Sequence, residues 1–145
     1  MSNVNFRDLL SFNTDEVERP KPLPAGHYLG VIRSHEFAMS KNKGTPFVRF
    51  LIVPESPTDD VIDHNNDLAS IDLSRRELRR DYYITPQSRY RLADMLDAVL
   101  GKTTGRTADE RIPETTGARV IFGVTQRTSE DGQDTYNDVT SIVAA

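Results

Sequence analysis

The sequence predicts a small all-β domain with one helix: five strands, the helix lying between the third and the fourth. Three observations carry this. Apolar residues recur with period two in Pro46–Val53 and in Arg119–Gln126. Leu92, Met95, Leu96, Val99 and Leu100 fall at helical spacing, between Thr85-Pro86 and Gly101. Asp131-Gly132 marks a hairpin between Arg119–Gln126 and the alternating run Tyr136–Val143. At 145 residues the chain fits one domain, large enough to bury a core without metal or disulfide.

Residues 1–24 read as an extended N-terminal arm. It ends in Pro20-Lys-Pro-Leu-Pro24, whose prolines favour an extended path. Phe6, Leu9, Leu10 and Phe12 suit a short amphipathic turn that docks the arm on the domain, which spans 25–145. His27–Phe37 reads as the first strand, with Gly26 and Gly30 allowing a barrel-corner bend. Ser40–Gly44 is a turn cluster, and Pro46–Val53 is the second strand. Residues 54–74 carry six carboxylates and no Lys or Arg, which predicts an acidic surface insertion. Leu73–Arg80 reads as a helical turn and Asp81–Ile84 as a short third strand. The helix follows, with Thr85 as N-cap, Pro86 at the first helical position and Gly101 at its stop. Residues 102–118 are a polar connection, and two strands close the chain. Strand, strand, strand, helix, strand, strand is the element order of an OB-fold, a five-stranded Greek-key barrel.

Composition narrows the function. Mean hydropathy is -0.53, and no apolar run approaches ~18 residues, so no membrane span is expected. Met1-Ser-Asn-Val-Asn lacks the basic-then-apolar pattern of a signal peptide. The absence of cysteine excludes disulfides and thiol chemistry and suits a cytoplasmic location. Gly101-Lys102-Thr103 resembles the end of a phosphate-binding loop, but Leu96 stands where its first glycine belongs. Asp63, Asn65 and Asp67 resemble the start of a calcium loop, but Leu68 replaces the required glycine and Ser74 the closing glutamate. The only histidines are His27, His35 and His64, and His27 and His35 lie too far apart along one strand to share a metal. No enzyme, metal or cofactor is expected.

The nucleic-acid signals are stronger, although the net charge is -4. In Pro46–Val53 one face is Val48, Phe50 and Ile52, suited to a core. The other is Phe47, Arg49 and Leu51, a ring beside a guanidinium, as base stacking and phosphate contact require. Lys41 and Lys43 occupy the preceding turn. Residues 75–91 place Arg75, Arg76, Arg79, Arg80, Arg89 and Arg91 against Glu77 and Asp81, a net +4. Within them, one of Tyr82 and Tyr83 faces the core and the other solvent; Tyr82 is assigned to the ligand. The expected site is Lys41, Lys43, Phe47, Arg49, Arg75, Arg76, Arg79, Arg80 and Tyr82. The alternative is a protein-interaction or regulatory module using the Phe47/Leu51 face.

Four phrases carry a resemblance: Pro22-Leu-Pro-Ala-Gly-His-Tyr-Leu-Gly30, Gly44-Thr-Pro-Phe-Val-Arg-Phe50, Tyr82-Tyr-Ile-Thr-Pro86 with Arg89-Tyr-Arg-Leu92, and Tyr136-Asn-Asp-Val139. Together the chain resembles the small OB-fold single-stranded DNA-binding proteins encoded by bacteriophages and prophages. The resemblance implies sequence-tolerant binding of single-stranded DNA during phage replication or recombination, in the host cytoplasm. The partners it implies are the DNA and replication or recombination proteins, with a homodimer allowed. Many such proteins end in an acidic tail, whereas this sequence ends Ser141-Ile-Val-Ala-Ala145.

Overall fold

The computed structural model describes residues 4–15 and 20–145; the remaining stretches of the expected arm, 1–3 and 16–19, lie outside the described residues. The chain runs α1 (Phe6–Leu9), β1 (Gly26–Met39), β2 (Pro46–Pro57), β3 (Leu78–Tyr83), α2 (Arg89–Leu100), α3 (Ala108–Arg111), β4 (Arg119–Thr128) and β5 (Thr135–Ala144), with three short 3₁₀ turns. All five strands form one antiparallel sheet in the order β3-β2-β1-β4-β5. The domain is therefore mostly β, with a few short helices. No ladder joins the end strands β3 and β5. Arg80 spans them instead, donating from Nη1 to the Val139 carbonyl at 3.0 Å.

Period two builds the core. Tyr28 and Ile32 of β1, Val48, Phe50 and Ile52 of β2, Leu78 and Tyr82 of β3, and Val120, Phe122 and Val124 of β4 all turn inward. Gly30 is required among them: a Cβ there would lie 2.5 Å from the Val53 carbonyl and 2.7 Å from the Phe122 ring. The helix α2 adds Leu92, Met95, Leu96 and Val99, as its spacing predicts. Gly101 ends it with φ 94°, a conformation that favours glycine. No helix among the described residues is long and apolar enough to cross a membrane.

Several expectations are corrected. The turn α1 forms, with the Asn5 side chain accepting from the Arg7 and Asp8 amides, but Phe6, Leu9, Leu10 and Phe12 all stay exposed. Leu23, placed in the expected arm, is a core residue. Its amide donates to Asn137 Oδ1 at 2.8 Å, and its carbonyl accepts from Asn137 Nδ2 and Gln126 Nε2, both at 2.9 Å. The acidic stretch 54–74, expected as a surface insertion, is partly packed against the core. Residues 54–57 extend β2, Pro54 is fully buried, and Val61, Leu68, Ile71 and Leu73 pack against the core.

The expected helical turn over 73–80 is replaced by a 3₁₀ turn at Leu73–Arg75 and by a third strand that starts at Leu78. The helix begins three residues after Pro86: the Ser88 and Arg89 amides both donate to the Thr85 carbonyl, making a separate turn ahead of it. In the polar connection, Arg111 is buried. It donates to Asp97 Oδ1 at 2.6 Å and to the Leu96 and Gly101 carbonyls, closing the C-terminal end of α2.

Candidate nucleic-acid interface

The register of β1, β2 and β3 sets the expected site residues in rows on the outer face of the sheet. Ala38, Phe47 and Tyr83 share one row, Glu36, Arg49 and Asp81 the next, and Ser34, Leu51 and Arg79 a third. Each row is a set of cross-strand neighbours, so what a side chain can offer a ligand depends on what flanks it.

In the first row the expected roles change hands. Phe47 is only 7% exposed, because the Arg49 guanidinium lies over its ring at 5.2 Å and Tyr83 packs edge-on at 5.7 Å. The ring presented to solvent is Tyr83, at 44% exposure. Tyr82, expected at the ligand, is 7% exposed and belongs to the core, edge-on to Phe50 at 5.8 Å. Its hydroxyl pKa is raised by burial, with Arg80 opposing. The rule that one of two adjacent tyrosines faces out holds, but the strand begins at Leu78, and that parity sends Tyr83 outward.

Most of the expected cations are already engaged. Arg49 makes two bonds to Asp81, Nε to Oδ1 at 2.8 Å and Nη2 to Oδ2 at 3.1 Å, and its Nη1 lies 3.6 Å from Glu36. Hydrogen bonding to Asp81 raises its pKa, so it stays a cation already neutralised by carboxylates. Arg76 donates to the Lys21 carbonyl at 2.5 Å, and Arg75 pairs with Asp72 at 3.5 Å. Arg80 turns toward the core side, its guanidinium 5.1 Å from the Tyr82 ring. Lys41, Lys43 and Arg79 have no ion pair among the described residues.

Three surface depressions adjoin along β3. The first, of 420 Å³, lies between the Lys41/Lys43 turn and Tyr83, Thr85 and Ser88. The second, of 630 Å³, shares Tyr83 and runs past Arg49, Arg79 and Arg80 to Asn137 and Thr140 of β5. The third, of 590 Å³, shares Glu77, Leu78 and Asn137 with the second and ends at Tyr136, Lys21 and Arg76. Tyr136 is 45% exposed, with Arg127 over its ring at 5.1 Å. A groove thus follows β3 with an exposed tyrosine toward each end and Arg79 between them. The groove also holds Glu77, Asp81, Asp134 and Asp138, so its charge is mixed. Arg75 lines none of the three depressions.

The groove also presents Tyr83, Tyr136 and the Thr85 and Ser88 side chains, which the expected site did not include. Tyr136 could have been found: it opens the return strand opposite Arg127, a ring and a cation at one hairpin end. No family model and no curated protein matches the chain.

Proposed function

We propose that the protein binds single-stranded DNA without strong sequence preference, in the groove along β3, and serves phage replication or recombination. The observation that carries this reading is the groove itself. Tyr83 and Tyr136 offer π-faces that any base can stack on, and Lys41, Lys43 and Arg79 are free to meet phosphates. Stacking surfaces with unpaired cations between them suit a flexible strand, whose bases are unpaired and can turn onto rings.

The same reading takes the sheet as an OB-type barrel. Its support is the central β1 between β2 and β4, the helix between β3 and β4, and the approach of β3 to β5 through Arg80. In such barrels the connection between the first two strands borders the ligand, and here that connection carries Lys41 and Lys43. The test is a fluorescence-anisotropy titration with labelled dT and rU oligomers and a duplex control. Saturable binding of dT that weakens in Tyr83→Ala supports the reading. Equal binding of duplex, or none of any oligomer, removes it in favour of a protein-interaction module.

A further inference from the structure

Beyond its pairing with β4, β1 carries a stretch of free edge in the interior of the sheet order, distinct from the outer edges of the end strands β3 and β5. On one side β1 pairs with β2 as far as Met39, but on the other it pairs with β4 only over Gly26–Val31. The Ile32 amide and carbonyl close that side, bonding Ala118 and Gly117. Beyond the bulge between Ile32 and Ser34 the edge is open among the described residues.

Hydrogen bonds at the hairpin show which backbone groups face that edge. The Pro46 carbonyl accepts from Ile84, on the β3 side, so Pro46 and its partner Met39 form a non-bonded pair in the β1–β2 ladder. The Ser40 amide bonds the Thr45 carbonyl, in agreement. By alternation the N–H and C=O groups of His35, Phe37 and Met39 all point away from β2. The devices that ordinarily blunt an edge are absent from 34–39: no proline, no lysine, and a single charge, Glu36, drawn toward Arg49. Instead Phe37 is 62% exposed and Met39 64%. His35 stands edge-on to Phe37 at 5.5 Å, and its buried Nδ1 has no hydrogen-bond partner.

We infer that this edge pairs with the same edge of a second copy, antiparallel, about a two-fold axis at Phe37. That register is self-complementary. Phe37 faces Phe37 of the second copy, and His35 faces Met39 in both directions. All three residues expose the backbone groups that a bonded pair exchanges, about six hydrogen bonds in total. Glu36 falls opposite Ala38, so no like charges meet directly across the ladder. The two exposed apolar side chains of each copy are brought together on one seam, and the two sheets become continuous through β1. A second copy fits better than a foreign peptide because the edge satisfies its own pairing rule at every position from 35 to 39. The inference is independent of what the groove binds.

The test uses the DNA-free protein. Sedimentation at about 100 µM should give twice the 16.3 kDa chain mass. Phe37→Pro removes the exposed ring and an amide that faces the open edge, neither of which the β1–β2 ladder uses, so that ladder stays intact while dimerisation weakens at least ~tenfold. Because the chain has no cysteine, single-cysteine variants read the register directly. Bonded-pair Cα atoms lie about 5.5 Å apart, within disulfide reach, so Phe37→Cys should cross-link on oxidation. Met39→Cys, displaced by four residues from its own copy across the axis, should not. A monomeric wild type overturns the inference, as does a dimer that Phe37→Pro leaves intact. Cross-linking of Met39→Cys without Phe37→Cys overturns the register.

Discussion

Tyr83→Ala and Phe47→Ala separate the ring proposed to meet the ligand from the ring beneath it. Tyr83 is nearly half exposed and packs edge-on against Phe47. An aromatic pair of this kind is worth about 0.5–1.5 kcal/mol, so Tyr83→Ala should lower the unfolding temperature by only a few degrees, at roughly 2–4 °C per kcal/mol. Stacking one base is worth about 1–3 kcal/mol, so single-stranded DNA affinity should fall between about fivefold and 150-fold. Phe47 is covered by Arg49 and Tyr83, and its truncation should cost about 3–5 kcal/mol of stability, or on the order of 10 °C. Thermal unfolding by circular dichroism and anisotropy titration on the same preparations give both numbers. Tyr83→Phe keeps the π-face and should bind within about twofold of wild type. If folded Phe47→Ala loses affinity while Tyr83→Ala keeps it, the ring that meets the ligand is Phe47 and not Tyr83.

The remaining predictions follow from other contacts. Lys41, Lys43 and Arg79 are the unpaired cations of the groove, so the logarithm of affinity should fall with that of salt at a slope near -2, at ~0.7 per phosphate contact. Replacing Arg111 by Met strands the Leu96 and Gly101 carbonyls and the partner Asp97, and should cost about 2–4 kcal/mol in urea unfolding. Asp60 accepts from the His27 ring, the His27 amide and the Thr58 hydroxyl, which together hold its carboxyl below the usual range. A carboxyl depressed in the folded state contributes stability above its unfolded pKa of ~4 and loses it as pH falls toward the folded value. The stability difference between wild type and Asp60→Asn should therefore be full at pH 6 to 7 and shrink on acidification below ~4. Deleting 54–74 should abolish cooperative unfolding, because the segment supplies Pro54 and the packing of Leu68, Ile71 and Leu73.

The fold was legible wherever period two or period 3.6 ran uninterrupted by charge. Val48, Phe50 and Ile52, the matching triplet Val120, Phe122 and Val124, and the stripe of α2 all face inward as their spacing requires. The third strand was half hidden because its inward face reads Leu78, Arg80, Tyr82. An arginine in that row looks like a solvated helix in sequence. In space its guanidinium lies over the Tyr82 ring and donates to the Val139 carbonyl, and this lets it stand where an apolar residue would. Arg111 misled in the same way. It looks like a loop cation until a helix end needs its donors. Both cases turn on partners distant in sequence, which no local pattern records.

The candidate site was less legible, and for one reason. Composition counts cations, but a ligand meets only those that carboxylates and carbonyls have left free. The arginine-rich stretch 75–91 promised a strongly positive groove. Seven cations of the expected site, all contacting phosphate, would give a salt slope near -5 at ~0.7 per contact. Folding brings Asp81 and Glu36 to Arg49, Asp72 to Arg75, and main-chain carbonyls to Arg76 and Arg80. Three cations remain, and in the proposed function the balance of binding shifts from phosphate neutralisation toward stacking on Tyr83 and Tyr136. That shift agrees with the acidic chain as a whole, in which a groove relying on charge alone would work against a net -4. A shallow salt slope combined with a large Tyr83→Ala effect is the signature of such a site. A steep slope with a small tyrosine effect would mean that the ion pairs of Arg49 and Arg75 open on binding, and that composition was the better guide.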